Sequence, residues 1–120
     1  MDKIKFHSMI GELLALINAK RDDDVTKNFG ISKEVICEIR EVITVYFGHW
    51  QEVKPLNVAR HSESRVNKPL FNVFEMNQPN TYGVECVLVD ADDNETELIL
   101  HAEFVAFDGS YKMNYQYIGS

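Results

Sequence analysis

The four histidines, His7, His49, His61 and His101, are the side chains whose ordinary pKa suits proton transfer near neutral pH. None has a second histidine at the helical spacing that is typical of a metal pair. His101 stands out because strand alternation places Glu85 opposite it. A carboxylate beside an imidazole can orient a general base, but the same two residues also form an ordinary cross-strand pair on an exposed sheet. The exposed pair is the preferred interpretation, because no pocket is predicted there to exclude water.

Cys37 and Cys86 are the two thiols, and each lies among aliphatic residues. This setting predicts two buried free thiols in a reducing compartment, with a disulfide between them as the alternative. No further ligands lie near either cysteine, so we expect no metal. The acidic stretch 90–95 begins like a calcium loop, but Glu95 stands where that loop requires glycine, and His101 where it requires glutamate. We therefore expect a polar hairpin loop, and neither a metal nor a cofactor.

The most regular pattern in the chain is a tyrosine stripe in the segment FVAFDGSYKMNYQYIGS. Asp108-Gly109 between two alternating runs is typical of a two-residue hairpin turn, and such a turn fixes the register of both strands. In that register Tyr111, Met113, Tyr115 and Tyr117 oppose Ala106, Phe104, Ala102 and Leu100 respectively. This face is apolar throughout, and we predict that it points inward against the helices.

A further strand, TYGVECVLVDA, extends the same face by placing Tyr82 opposite Phe104 and Cys86 opposite Leu100. Buried phenols need hydrogen-bond partners. The inward rings therefore either reach the rim of a filled core or border a cavity, and both alternatives stay open. The predicted pocket residues are Trp50, Phe74, Tyr82, Phe104, Tyr111, Tyr115 and Tyr117.

Charge is distributed unevenly along the chain, whose net charge is -7. Residues 1–68 contain eleven Lys and Arg against ten Asp and Glu, whereas residues 69–120 contain one Lys against nine Asp and Glu. A surface without cations is a poor match for phosphate, so we expect no nucleic acid, and a basic protein becomes the natural partner. The residues predicted to face outward and bind it are Glu75, Glu85, Glu97, His101 and Glu103. Solubility alone is the alternative role for these charges.

The elements that must position these residues are two helices followed by strands. One helix is predicted over residues 3–20, and a second begins after Ser32 as N-cap and ends at Gly48. The acidic triplet 22–24 between them is predicted to be a loop, with a short helical turn as the alternative. Strands are predicted over residues 50–63, 69–76, 81–91, 96–107 and 110–118. The pattern predicts one α+β domain, residues 1–120, with N-terminal helices packed on a curved antiparallel sheet of four to five strands.

The order of elements resembles the nuclear transport factor 2-like superfamily, the cystatin-like α+β cones. LLALINAKRDDD is similar to the opening helix with its acidic break, and ISKEVICEIREVITVYFGHWQEV to the helix, glycine and aromatic entry into the first strand. AEFVAFDGSYKMNYQYI is similar to the closing hairpin. The resemblance implies a curved sheet around a conical pocket, in a family of isomerases, hydratases, transport adaptors and bacterial immunity proteins. It assigns no catalytic residue to this chain.

Function is expected to be non-enzymatic, because no nucleophile motif and no phosphate-binding glycine loop is present. The leading hypothesis is a small acidic binding protein, in its sharper form a bacterial immunity protein that neutralises a basic toxin. A pocket enzyme of the isomerase or hydratase type, or a carrier of a small hydrophobic ligand, is the alternative. A third is a homodimer through outward Val87, Ile99, Val105 and Phe107. No membrane span and no signal peptide are recognised, so the expected location is cytoplasmic.

Overall fold

A computed structural model describes residues 2–57 and 71–120, in which three helices precede five strands. The helices are α1 (Lys3–Asn18), α2 (Asp22–Phe29) and α3 (Lys33–Phe47). The strands are β1 (Val53–Pro55), β2 (Phe71–Glu75), β3 (Thr81–Asp90), β4 (Glu95–Phe107) and β5 (Ser110–Gly119). Every strand pair is antiparallel, and the helices pack against one face of a curled sheet. The predicted α+β class is therefore confirmed. In these two ranges no helix is long and apolar enough to cross a membrane.

Helices α1 and α3 form because their apolar residues recur at helical spacing, and α3 is also capped at both ends. The buried stripe of α1 is Phe6, Ile10, Leu13, Leu14 and Ile17. The stripe begins at Phe6, one helical turn before Ile10. Ser32 caps α3 as predicted, since its hydroxyl accepts a 3.2 Å hydrogen bond from the Val35 amide. Gly48 ends α3 in the left-handed conformation, with a φ of 83°.

The acidic triplet opens helix α2, so the predicted loop is wrong and the alternative helical turn is confirmed. Three carboxylates in a first turn suit the positive end of the helix dipole. Each is also paired with a cation. Arg40 of α3 holds Asp22 through two hydrogen bonds of 2.9 and 2.6 Å and lowers the pKa of that carboxyl group. Lys33 pairs with Asp23 at 2.9 Å, and Arg21 pairs with Asp24.

The sheet has the order β1-β3-β4-β5, and β2 pairs with the same edge of β3 as β1 does. β1 lies opposite residues 88–90 of β3, and β2 lies opposite residues 82–86. Pro55 ends β1 on a sheet edge, where its missing amide hydrogen costs no ladder bond. The predicted strand 50–63 thus contains a strand of three residues in its described part. Its residues 58–63, and residues 69 and 70 of the next predicted strand, lie outside the described ranges.

The hairpin of β4 and β5 confirms most of the predicted register. Asp108 and Gly109 both have positive φ, 47° and 75°, as the predicted two-residue turn requires. Phe104 opposes Met113, and Ala102 opposes Tyr115. On the other side of β4, the predicted pairs Tyr82–Phe104, Glu85–His101 and Cys86–Leu100 all form. The face that carries Phe104 and Cys86 packs on the helices and is called the inner face; the face that carries Glu85 and His101 is the outer face.

The inward position predicted for Tyr117 is wrong, because a β-bulge shifts the register after Tyr115. Gln116 is the extra residue, so His101 opposes Tyr117 and Leu100 opposes Ile118. One inserted residue moves every later side chain to the other face of a strand. Tyr117 therefore lies on the outer face, where it is 54% exposed.

The faces predicted for β2 are also reversed. Phe74, predicted to line the pocket, opposes Gly83 on the outer face, and Glu75, predicted to face outward, opposes the inner-face residue Tyr82. The reason is the length of the turn between β2 and β3, which pairs odd-numbered residues of one strand with even-numbered residues of the other. Parity along the chain therefore changes at this turn, although it is kept between β3 and β4.

The Phe74 ring lies over Gly83 so closely that a Cβ atom at residue 83 would overlap it. Gly83→Ala should cost about 1 kcal/mol in the wild-type protein, because Phe74 must swing off the sheet. In a Phe74→Ala background the same change should be neutral or stabilise by about 0.5 kcal/mol, because glycine is the poorer strand residue. Urea unfolding of the two single variants and the double variant measures this coupling. Additive effects would show that the ring does not depend on the glycine.

Candidate functional site

The predicted pocket is occupied at its centre by Phe6 of α1, which is completely buried. Its ring stacks on Phe104, with centroids 4.3 Å apart and planes at 22°. Tyr111 meets it edge-on at 4.8 Å, and Tyr82 lies tilted at 5.9 Å. These inward rings thus surround a fourth ring, an arrangement typical of an aromatic core.

The remaining predicted pocket residues are not gathered at this cluster. Tyr115 lies half-buried opposite Ala102, and burial raises the pKa of its phenol, although the Ile118 backbone acts in the opposite direction. Trp50, which follows α3, is half-buried against the core. Phe74 and Tyr117 lie on the outer face. The structure therefore brings together three of the seven residues predicted to line one pocket.

The phenol of Tyr111 reaches the rim of the core, which was one of the two predicted outcomes for buried tyrosines. Its hydroxyl donates a 2.8 Å hydrogen bond to the Asp2 carboxylate, and this bond is the main reason why the pKa of Tyr111 is raised. The bond joins the start of α1 to β5 beside the aromatic cluster.

The outer face carries a row of side chains that crosses four strands. Asn72 of β2 donates a 3.2 Å hydrogen bond to the Glu85 carboxylate of β3. The other oxygen of Glu85 lies 3.6 Å from Nδ1 of His101 on β4. The His101 ring in turn stacks on Tyr117 of β5, with centroids 4.2 Å apart and planes at 15°. We call these four residues the outer row.

Glu85 and His101 have the geometry of a partly exposed cross-strand pair. A separation of 3.6 Å between nitrogen and oxygen is longer than a hydrogen bond. The side chains of Glu85 and His101 keep 36% and 23% of their surface exposed, so water reaches both. A general base needs a positioned substrate and a site that excludes water. Within the described residues, no cluster of His, Cys, Asp or Glu could hold a metal ion.

The five residues predicted to bind a partner do not form one patch. Glu85, His101 and Glu103 share the outer face, with Glu103 opposite Asn114. Glu97 lies where the β3–β4 ladder is irregular, and its amide donates a 3.0 Å hydrogen bond to the Tyr46 hydroxyl of α3. Glu75 is exposed at the end of β2, in register with the inner face.

The loop between β3 and β4 is an ordered turn in which Asp90 accepts hydrogen bonds from the chain itself. One oxygen of Asp90 accepts the amides of Asp92 and Asn94, each at 2.9 Å. These bonds, the one from Asn94 first, lower the pKa of Asp90. Lys54 of β1 reaches the same loop and pairs with Asp93 at 3.3 Å. The acidic loop is therefore held by hydrogen bonds within the chain and by its pair with Lys54, an arrangement typical of a polar hairpin loop.

A second surface lies between α3 and the sheet, as an open groove of about 520 Å³. Its walls include Val42, Val45 and Tyr46 from α3, and Leu98 and Ile118 from β4 and β5. Glu38 and Glu41 of α3 border the same space. None of the residues that line it is a Lys or Arg. We call it the α3 groove.

No protein-family model, no curated protein and no solved structure matches this chain.

The two cysteines are free, as the preferred interpretation predicted, but only one of them is buried. Cys86 is fully buried on the inner face, and burial raises the pKa of its thiol to about 12. Cys37 lies on the exposed side of α3, which corrects the prediction that both are buried. Neighbouring aliphatic residues in sequence cannot show which side of a helix a cysteine occupies, since adjacent positions lie on different faces.

Sequence reasoning missed Phe6 and the acidic rim of the α3 groove. Phe6 precedes Ile10 by four residues, so the helical spacing could have extended the buried stripe to it. Counting the charges in each half of the chain does not single out Glu38 and Glu41, because they belong to the half whose net charge is close to zero. Their importance depends on α3 packing beside β4 and β5, which no local pattern indicates.

Proposed function

We propose that this chain is a non-enzymatic binding protein that captures a basic protein partner on the outer face of its sheet. The observation that carries this proposal is the excess of carboxylates over cations in the part of the chain that forms β2 to β5. Residues 71–120 contain nine Asp and Glu against one Lys, Lys112. Glu85 and Glu103 stand together on the outer face, and neither forms an ion pair with a Lys or Arg among the described residues.

The helical layer lies on the inner face of the sheet, and part of its positive charge is already paired with its own carboxylates. Arg40, Lys33 and Arg21 are paired with the acidic triplet that opens α2. A protein rich in Lys and Arg would be steered towards the sheet, where carboxylates outnumber cations, and salt would slow this association. In its sharper form the proposal is a bacterial immunity protein of the nuclear transport factor 2-like superfamily, and the partner is a basic toxin domain. The packing of helices on a curled antiparallel sheet supports this form.

Two rival functions find less support. A pocket enzyme or a carrier of a hydrophobic ligand would need space among the inward rings, and Phe6 fills that space at Tyr82, Phe104 and Tyr111. A homodimer through the outer face would bring two acidic surfaces together, and like charges facing each other oppose association.

The test reverses three glutamates, Glu85, Glu97 and Glu103, to lysine. Wild type and this triple variant are used as bait in lysate of the native host, at about 0.05 M and about 0.5 M salt. We expect wild type to recover a basic protein at low salt, with recovery falling at high salt. The triple variant should recover none while keeping the wild-type circular dichroism spectrum and melting temperature, because the reversed side chains are not in the core.

The matched control is a variant with the same change in net charge, Glu12, Glu52 and Glu75 to lysine, at exposed positions off the outer face. It should recover the partner as wild type does. Equal recovery by both variants, or no basic protein in any wild-type sample, would mean that the acidic half serves solubility. If a partner is identified, its expression should arrest growth unless the wild-type chain is expressed with it.

A further inference from the structure

We propose that the α3 groove binds an amphipathic, cationic helix of the partner, as an apolar anchor site beside the acidic sheet. This inference rests on the proposed function, because it names the part of the basic partner that is held most tightly. Charged surfaces steer encounters, whereas buried apolar contacts determine how long a complex lasts. The outer face offers the charged surface, and the α3 groove offers the apolar contacts.

The floor of the groove is apolar and accessible. Val45 is 75% exposed and Tyr46 is 38% exposed, although both belong to a helix whose other side is buried in the core. Leu98 and Ile118 form the opposite wall from the inner face of the sheet. The Tyr46 ring is fixed at one side by its hydrogen bond from the Glu97 amide and at another by an edge contact with Phe47 at 4.9 Å. A rigid aromatic ring between aliphatic walls is typical of a binding hot spot.

The rim of the groove selects for positive charge. Glu38 and Glu41 are one turn apart on α3, both exposed, and both border the groove. Neither has an ion pair with any of the described residues. Carboxylates around an apolar floor match Lys or Arg side chains that flank apolar residues. The same rim opposes an anionic lipid surface, which is why we assign the groove to a protein.

The walls of the groove favour a helix over an extended peptide. Most of them are side chains of α3 and of the inner face of the sheet, and Gly119 at the end of the edge strand β5 also borders the groove. A helix satisfies its own backbone donors and acceptors and can lie on side chains alone, whereas an extended peptide would find backbone partners only along β5. The expected ligand therefore carries apolar residues at helical spacing and Lys or Arg on both flanks.

The test uses three labelled peptides of about fifteen residues. The first has leucines at helical spacing flanked by lysines. The second is a scramble of the first that has no amphipathic face, and the third replaces lysine with glutamate. Fluorescence anisotropy measures their binding to the wild-type chain and to its variants. We expect the first peptide to bind wild type at least tenfold more tightly than the scramble, and the third not to bind.

Variants locate the site. Val45→Ser should weaken binding of the first peptide about tenfold, because the peptide loses the burial of an exposed aliphatic side chain. Glu38→Lys combined with Glu41→Lys should weaken it by more than tenfold at low salt and less at high salt. The matched controls are Ile4→Ser, at an apolar residue that is 89% exposed on α1, and Glu12→Lys. Both controls should bind as wild type does.

Other results overturn the inference. These are an equal loss for Val45→Ser and Ile4→Ser, tight binding of the scramble, or no binding of the first peptide. Recruitment of the wild-type chain by anionic phospholipid vesicles that depends on Val45 would make the groove a membrane contact instead. The outcome is separable from that of the proposed function. A partner that is lost on reversal of Glu85 and Glu103 alone but kept by Val45→Ser would contradict the anchor site alone, and a specific peptide site without any basic partner in the host would contradict the proposed function.

Discussion

Replacing Phe6 with alanine is expected to lower the free energy of unfolding by about 3–5 kcal/mol. The ring is fully buried and touches the rings of Phe104, Tyr111 and Tyr82, so its removal leaves a cavity among large, rigid neighbours that cannot collapse. A domain of this size has a total stability on the order of 5–15 kcal/mol, so the loss should be plain in urea unfolding followed by circular dichroism.

A variant that fails to fold would be uninformative by itself, so Phe6→Leu is measured beside it and should cost clearly less. Ile4→Ala, two residues away and 89% exposed, should change stability by no more than about 0.5 kcal/mol. If Phe6→Ala and Ile4→Ala had similar effects, the inward rings would not be packed on Phe6, and a ligand pocket among them would become the better interpretation.

Stability should also fall steeply at alkaline pH because of Cys86. Burial raises the pKa of this thiol from its ordinary value of 9.0 to about 12. Between these values the unfolded chain releases the proton while the folded chain keeps it. The unfolded state is therefore favoured by about 1.4 kcal/mol for each pH unit above the ordinary pKa. The contribution is zero below pH 9 and grows as pH rises towards 12, and the raised pKa of Tyr115 adds to it in the same direction.

Cys86→Ala isolates this effect. The variant should be less stable at neutral pH, since it removes a buried sulfur atom, but its free energy of unfolding should fall less steeply between about pH 9 and about pH 11. Cys37→Ala changes an exposed thiol and should follow the wild-type curve. Urea unfolding at a series of pH values gives both slopes. Parallel curves for wild type and Cys86→Ala would show that Cys86 is not held in a dry interior.

Much of the sheet could be predicted from the sequence because a single turn determined its register. A two-residue hairpin turn of this kind requires positive φ at both positions, and Asp-Gly is one of the few pairs that tolerate it. The turn at Asp108 and Gly109 therefore determined the partners of Phe104 and Ala102. Alternating apolar residues in β3 then had one register that buried them all. The pairing of Glu85 with His101 followed from the same reasoning, although the stack of His101 on Tyr117 did not.

The errors on the sheet have a common cause. Odd- and even-numbered residues alternate between the two faces only within a continuous ladder of strand pairs. The bulge at Gln116 turned Tyr117 outward, and the turn before β3 exchanged the faces of Phe74 and Glu75. Nothing in the residue types at these points distinguishes an extra residue from a paired one. The acidic triplet was misjudged for a different reason: its helix is supported by Arg40 and Lys33, which come from another helix. The α3 groove could not be predicted, since it exists only once α3 and the sheet are packed.

The hydrogen bond between Asp2 and Tyr111 joins residues 109 positions apart, and this has a consequence for the order of assembly. Hairpins β2–β3, β3–β4 and β4–β5 need only short loops to close, whereas docking of α1 on β5 closes almost the whole chain, at a larger cost in entropy. We expect the strands to associate first and α1 to dock late. During synthesis α1 leaves the ribosome long before β5 does, so Phe6 cannot pack until the strands that carry its neighbouring rings have been made. Until it docks, the rings of Tyr82, Phe104 and Tyr111 are open to water, and a half-assembled chain is the form in which this protein is most prone to aggregate.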